Sequence, residues 1–295
     1  MMDHHVDEMT SYLDWSNKGK ASFWRYLLGF VLAILILFVL GSVVVMPLSA
    51  IKPDYAESPS FSLIGTLLSF LVLFVAIPLI VALLHRRPYW SVAMPVLRVE
   101  YWHLFTGFWV NAIVGVVVAV ALHFAGIMPL DYVGLDWSRL LPVALIGFVA
   151  IFIQASSEEL LFRGYITQFV RRFTAHKLLF IGIPALIFAL PHIINITELG
   201  GTFLVMVPYL ILGLLLAWAA YRTGSLWMAA GVHWSNNFMT IVLIGTRGDV
   251  LPSVAPFQVD IPSLSVATMV VAVQSVLILV VLRYLIGRRE TAASL

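Results

Sequence analysis

The sequence contains no cysteine and few charged residues. With no Cys among 295 residues, disulfides and thiolate metal sites are excluded. Only 11% of the residues are charged and 61% are hydrophobic, whereas a soluble domain carries about a quarter charged residues. This composition indicates an integral membrane protein. The net charge of +2 is too small to indicate a nucleic-acid partner.

Several familiar signatures are also missing. The sequence contains neither a Gly-x-Ser-x-Gly nucleophile elbow nor a His-Glu-x-x-His zinc helix. The first 20 residues lack the basic region and apolar core of a cleavable signal, so we expect a short cytosolic tail there. Internal repeats, low-complexity tracts and flexible linkers are not apparent, which favours one membrane domain.

Long apolar runs dominate the rest of the chain. A membrane-spanning helix needs about 20 mostly apolar residues, and continuous runs rather than alternating ones exclude a β-barrel. We therefore predict an all-α, polytopic membrane protein with about eight transmembrane helices in one bundle. The expected tails are residues 1–22 and 288–295, and the transmembrane domain is 23–287, with a motif core at 140–245. The predicted spans are Trp24–Leu48, Phe61–His85, His103–Phe124, Leu140–Phe169, Leu178–Ile194, Phe203–Tyr221, Leu226–Ile244 and Leu264–Ile286.

The basic residues predict the orientation. Loops on the cytosolic side of a membrane are enriched in Lys and Arg. With eight spans, thirteen basic residues lie on the side of the two termini and three on the other, leaving Arg163 inside the membrane. We therefore predict that both termini are cytosolic and that the protein is a multi-pass protein of the plasma (inner) membrane.

Three predicted helices carry polar residues that are costly in a membrane. The fourth contains Glu158, Glu159 and Arg163, and the fifth has His192 near its end. Ionisable groups at bilayer depth are functional-site candidates by default. Glu159 and Arg163 are four residues apart on one helix face, which predicts a structural ion pair that leaves Glu158 free.

The seventh helix carries His233 and Asn237, again four residues apart on one face. Helical rise places Glu158 about 20 Å from Arg171, His192 about 22 Å from Lys177 and His233 about 16 Å from Arg222. The three residues can therefore share one layer of the bundle. Asn236 faces away from this pair by about 100°, and Phe188 is interpreted as a packing residue. The alternatives are a membrane-surface acidic pair beyond a span that ends near Ala155, and ordinary interhelical hydrogen bonding.

These residue types suit water activation. A buried carboxylate such as Glu158 can take a proton from water, and a histidine can share that water or relay its proton. A histidine and an amide on one face, here His233 and Asn237, can donate hydrogen bonds to a developing oxyanion.

The three motifs carry a family resemblance. Glu158-Glu159-x-x-x-Arg163, Phe188-x-x-x-His192 and His233-x-x-x-Asn237, in this order, resemble the signature of the CPBP family. That family, also called Abi, comprises CAAX prenyl endopeptidases and bacteriocin-processing and self-immunity proteins. The resemblance implies an intramembrane endopeptidase whose helical core holds a cytosol-accessible cavity. It assigns water activation to Glu158 with His192, and oxyanion stabilisation to His233 and Asn237.

The resemblance leaves the cofactor and the substrate open. Glu158, His192 and His233 are the ligands if a zinc ion is present, and the set also serves a metal-free mechanism, which we favour because Asn is a poor zinc ligand. The implied partners are membrane lipids and a peptide or protein substrate, prenylated or not. Two other functions use the same residues: a proton-coupled transporter, and a catalytically silent immunity or scaffold protein.

Overall fold

Eight long helices form the protein in the computed structural model, which describes residues 10–54, 58–197, 203–247 and 253–293. Shorter 3₁₀ helices cover Tyr12–Asn17, Tyr89–Val92, Leu190–Thr197 and Phe203–Val205. The long helices are α1 (Phe23–Ile51), α2 (Pro59–Leu84), α3 (Tyr101–Phe124), α4 (Trp137–Phe173), α5 (Lys177–Ala189), α6 (Met206–Thr223), α7 (Trp227–Val242) and α8 (Leu264–Ala293).

The helices match the predicted spans in position but not all in length. Within the described ranges, six are long and apolar enough to cross a membrane, namely α1, α2, α3, α4, α6 with the turn before it, and α8. The all-helical polytopic fold is thus confirmed, whereas the count of eight spans is not. Helix α5 gives way to a 3₁₀ helix at Leu190, just before Pro191, which cannot donate a backbone hydrogen bond. Helix α7 has 16 residues and is largely enclosed by other helices.

Three short strands, which the sequence did not predict, join one end of the bundle. They are β1 (Leu130–Tyr132), β2 (Ile244–Thr246) and β3 (Phe257–Val259), in the order β1-β3-β2. Strand β3 pairs antiparallel with β1 and parallel with β2. Strands of three residues are too short to show a period-2 pattern, so nothing in the sequence distinguished them from loop.

Helix α4 runs through the middle of the bundle. Every residue from Leu160 to Gln168 is buried, and the backbone widens to a π-helix over Leu160–Ile166. Such widened turns are rare and frequently occur at functional sites. Helices α3 and α7 approach each other closely at Gly231. This is possible because glycine has no Cβ, which would overlap the backbone carbonyl of Leu104. Small residues at crossing points commonly let membrane helices pack this way.

Part of the expected N-terminal tail packs onto the bundle. Tyr12 and Trp15 are buried, and the Tyr12 amide donates to the Gly224 carbonyl at 2.8 Å. The Gln168 amide donates to the Tyr12 carbonyl at 2.8 Å, and the Trp15 indole donates to the Pro95 carbonyl at 3.0 Å. Residues 12–17 are therefore part of the folded domain, because their apolar side chains bury and their backbone groups find partners.

A buried histidine lies beside this segment, one residue past the end of α2. His85 Nδ1 donates to the Lys20 carbonyl at 2.9 Å, and Nε2 accepts from the Tyr165 hydroxyl at 2.8 Å. Burial, reinforced by the nearby positive charge of Arg87, lowers the pKa of His85 to about 4. His85 is therefore neutral in the folded protein at physiological pH.

Candidate active site

The polar residues predicted from the three motifs meet where α4, α5 and α7 pack together. Helix α4 contributes Glu158, Glu159 and Arg163, and α7 contributes His233 and Asn237. His192 lies in the 3₁₀ helix that continues α5. The first and third motifs share a hydrogen bond between Glu159 and His233, and the second motif contacts both of them through the ring of Phe188.

The predicted ion pair between Glu159 and Arg163 is present in the bundle interior. Arg163 Nη1 donates to Glu159 Oε1 at 2.9 Å, and the two side chains are 0% and 1% exposed. Arg163 Nη2 also donates to the Gly213 carbonyl of α6 at 3.3 Å, and the guanidinium lies 4.2 Å from the centre of the Phe188 ring. An arginine with an anion, a carbonyl and an aromatic face around it can remain charged away from water.

His233 lies between the two carboxylates. Its Nδ1 is 2.8 Å from Glu159 Oε1, and its Nε2 is 3.7 Å from Glu158 Oε2. A carboxylate oxygen can only accept a hydrogen bond, so Nδ1 carries the proton and Nε2 faces Glu158. The distance of 3.7 Å is too long for a direct hydrogen bond, but one water beside both atoms can link them. Glu159 thus neutralises Arg163 and also orients His233.

Glu158 is the accessible member of the pair. Its side chain is 18% exposed against 1% for Glu159. Gln154 Nε2 donates to Glu158 Oε1 at 2.6 Å, and Asn237 Nδ2 donates to Gln154 Oε1 at 2.9 Å. Asn237 therefore reaches Glu158 through Gln154, which leaves one Glu158 oxygen facing His233.

Two polar residues of this cluster were missed in the sequence. Gln154 precedes Glu158 by four residues, and the same helix-face argument that pairs Glu159 with Arg163 would have found it. Helical period predicts that Asn236 faces away, yet its Nδ2 donates to Asn237 Oδ1 at 3.1 Å. Neighbouring residues on a helix differ in direction by about 100°, but two amide side chains are long enough to bend toward each other.

His192 is held at the edge of the cluster. Its Nδ1 donates to the Phe188 carbonyl at 3.1 Å, and its ring stacks on Tyr209 with 3.8 Å between ring centres. Phe188 lies between the two histidines, with ring centres 5.2 Å from His192 and 5.8 Å from His233. Phe188 thus packs between them, and the described contacts of His192 run to these aromatic rings rather than to Glu158.

The same geometry tests whether Glu158, His192 and His233 could hold a zinc ion together. Among the residues that the structure describes, no three His, Asp or Glu side chains are grouped so that they could hold a metal ion. His233 Nδ1 is directed at Glu159, and His192 Nδ1 is directed at a backbone carbonyl. Glu158, His192 and His233 are therefore not assembled as a ligand set in this arrangement.

The fold defines a polytopic helical membrane protein, and the cluster of Glu158, His233 and Asn237 inside its bundle is a candidate site. Residues 139–239 match the family model of the type II CAAX prenyl endopeptidases, described as Rce1-like. This match confirms the family resemblance predicted from the three motifs, and all three lie inside it. At the level of the family it supports a CAAX-type intramembrane protease, which acts on a protein or peptide substrate.

A second comparison extends over most of the chain. The protein is similar to the Bacillus subtilis (strain 168) protein "Uncharacterized protein YyaK", with 28% identity over 248 residues. The matched region covers 79% of this chain and 82% of YyaK. No solved structure matches the chain.

Proposed function

We propose that the protein is an intramembrane endopeptidase that uses Glu158 as the base activating water. The observation that carries this proposal is the arrangement of His233, held by Glu159 with its second nitrogen 3.7 Å from Glu158. Glu159 is thereby paired with the buried Arg163 and orients His233. Glu158 keeps one carboxylate oxygen free beside His233. This is the division of roles that general-base hydrolysis requires.

The reaction can be written with these residues alone. Glu158 removes a proton from a water that attacks the carbonyl carbon of the scissile peptide bond. The carbonyl oxygen becomes an oxyanion. The second N–H of Asn237 Nδ2 donates to it, and His233 donates as well when Nε2, the nitrogen that faces Glu158, carries a proton in addition to Nδ1. As the oxyanion collapses, the carbon–nitrogen bond breaks and the amine takes the proton from Glu158. The products are a new carboxyl end and a new amino end, and Glu158 returns to its ionised form.

The role of His192 rests on its fixed position. The ring is sandwiched by contacts with Phe188 and Tyr209, and its Nδ1 is directed at a carbonyl, so Nε2 is the nitrogen left to meet water or substrate. We propose that His192 shares the attacking water with Glu158 once a substrate fills the site.

The family match supports the proposed kind of substrate, and the distribution of basic residues supports the proposed orientation. We propose a membrane-associated peptide or protein of the CAAX type that is cut near its C-terminus, in a plasma membrane in which both ends of the enzyme are cytosolic. Membrane lipids then surround α1 and α8, whose outward surfaces are strongly apolar.

Glu158→Gln tests the proposal because it removes the base but not the hydrogen-bond acceptor. Glutamine keeps an oxygen for Gln154 Nε2, so the fold is expected to persist. A lost general base typically lowers the rate by about 10²–10⁴-fold. The assay uses purified enzyme in liposomes with membrane-anchored CAAX-type peptides, farnesylated and unprenylated, and mass spectrometry locates the cut.

The matched control is Glu290→Gln, which makes the same chemical change in the exposed ion pair with Arg222. It is expected to cleave like the natural sequence. Cleavage by Glu158→Gln at an undiminished rate would disprove the assigned base. A comparison of the two peptides separately decides whether the prenyl group is recognised.

A further inference from the structure

A second polar region lies next to the candidate site, along the part of α7 that carries Asn236 and Thr240. A cavity of about 150 Å³ opens between α3, α7 and α8 and extends toward strands β2 and β3. Most residues lining this cavity, which we call the amide cavity, are apolar, but one wall is polar. Its polar lining residues are Asn111, Asn236, Thr240, Thr246 and Gln274.

Hydrogen bonds hold the deeper part of this wall in place. Gln274 Nε2 of α8 donates to Asn111 Oδ1 of α3 at 3.2 Å, and Asn111 Nδ2 donates to Ser235 Oγ of α7 at 3.1 Å. Asn111 is 2% exposed. Asn111 and the partly buried Gln274 keep this part of the lining polar, and polar side chains of this kind are the partners that an ordered water needs.

A chain of amides connects the amide cavity to the candidate base. Asn236 lines the cavity, and its Nδ2 donates to Asn237 Oδ1 at 3.1 Å. Asn237 Nδ2 donates to Gln154 Oε1 at 2.9 Å, and Gln154 Nε2 donates to Glu158 Oε1 at 2.6 Å. Every donor in this chain points toward Glu158, so the series ends on a carboxylate that can only accept.

Hydrolysis within a bundle has to be supplied with water. Each cleavage consumes one water molecule. While the substrate is bound, the peptide or its lipid anchor covers the opening through which the substrate entered the bundle. A water takes up about 30 Å³ in the liquid, so the amide cavity has room for several. Its polar wall ends at Asn236, which donates to Asn237 in the chain of amides that leads to Glu158.

We propose that the amide cavity holds water and delivers it to Glu158 from the strand-bearing end of the bundle. The proposal rests on the endopeptidase function proposed above. It assigns Asn236 and Gln154 as positioning residues, because they act on the reacting water through Asn237 and Glu158. It also gives a function to the polar pair of Asn111 and Gln274, which the hydrolytic mechanism does not use.

The absence of cysteine makes a direct test simple. A single cysteine introduced at Thr240 reacts with 2-aminoethyl methanethiosulfonate only if water reaches it, because the thiolate is the reactive form. The matched control is Val117→Cys. Thr240 lies five residues beyond Ser235, and Val117 lies six residues beyond Asn111, the hydrogen-bond partner of Ser235, so the two have similar depths. Val117 is, however, 57% exposed on the outside of the bundle.

Labelling in membrane vesicles should be faster at Thr240→Cys than at Val117→Cys by at least an order of magnitude. Thr246→Cys, at the strand end of the same cavity, provides a second site in case the first variant folds poorly. Equal, slow labelling at the cavity sites and at Val117 would overturn the proposal. This arm needs no enzyme activity, so its failure is distinct from failure of the proposed function.

The second arm uses the same modified protein. The reagent forms a mixed disulfide that fills the cavity after folding, so peptide cleavage by Thr240→Cys should fall on the order of tenfold, which corresponds to about 1.4 kcal/mol in the barrier. Reduction of the disulfide should restore the rate measured before modification, whereas modified Val117→Cys should keep its rate. Full labelling of Thr240→Cys with no loss of cleavage would show that the cavity does not supply the water.

Discussion

Removing one partner of the buried Glu159–Arg163 pair should destabilise the protein strongly. At an effective dielectric constant of about 20, two unit charges 2.9 Å apart attract by about 6 kcal/mol. Arg163→Met keeps the length of the side chain but leaves Glu159 as an uncompensated anion that is 1% exposed. Breaking a buried pair from one side typically costs about 3–5 kcal/mol, so we expect a loss of this size in the free energy of unfolding.

The geometry also predicts which second change compensates. Glu159→Gln removes the charge and still offers an oxygen to His233 Nδ1, so the double variant with Arg163→Met should recover most of the lost stability. Replacing a buried ion pair by neutral groups of similar volume is often neutral or stabilising. The two single variants and the double variant form a cycle that isolates the pairwise energy.

The assay is reversible unfolding in mixed lipid–detergent micelles, followed by tryptophan fluorescence. The matched control is Arg222→Met, in the exposed pair with Glu290, where the expected change is within about 1 kcal/mol. If Arg163→Met were no more destabilising than Arg222→Met, or if the double variant were as unstable as the single one, the reasoning about a desolvated pair would be refuted.

Three further predictions concern stability. Trp15→Ala should cost about 3–5 kcal/mol because this indole is buried against the bundle, whereas Trp24→Ala, at a ring 72% exposed, should change little in the same unfolding assay. His85 has a pKa of about 4 in the folded protein and about 6.5 in the unfolded chain. The free energy of unfolding should therefore fall by up to about 3 kcal/mol as the pH drops from 6.5 to 4, and His85→Gln should remove this part of the pH dependence. Gly231→Ala should prevent close packing of α7 on α3 and lower the yield of folded protein, while Gly182→Ala, where a Cβ meets nothing within 4 Å, should stabilise by about 0.5–1 kcal/mol.

The helices could be predicted because a membrane permits few alternatives. An apolar run of about 20 residues has to satisfy its own backbone in lipid, so it becomes a helix, and the predicted span 61–85 corresponds to α2 at Pro59–Leu84. Helix α7 shows where this reasoning ends. Its apolar sequence is enclosed by protein rather than by lipid, so a span length of 20 residues does not apply to it.

The candidate site also has a part that the sequence could predict and a part that it could not. The spacing of four residues placed Glu159 beside Arg163, because that contact lies within one helix and follows from its period alone. The sequence could also mark His233 as unusual, but it could not show that Nδ1 is directed at Glu159 rather than at a substrate oxyanion. That contact joins residues 74 positions apart.

What the sequence by itself determined is therefore the class of protein, the positions of its helices and the residues that are chemically out of place among them. Hydrophobic length and helical period set these features locally. Only the tertiary structure decided that Gln154 and Asn236 join Asn237 in one amide chain, that residues 12–17 pack onto the bundle, and that Glu159 orients His233. These features depend on which helix faces meet, and that is settled by the packing of the whole chain.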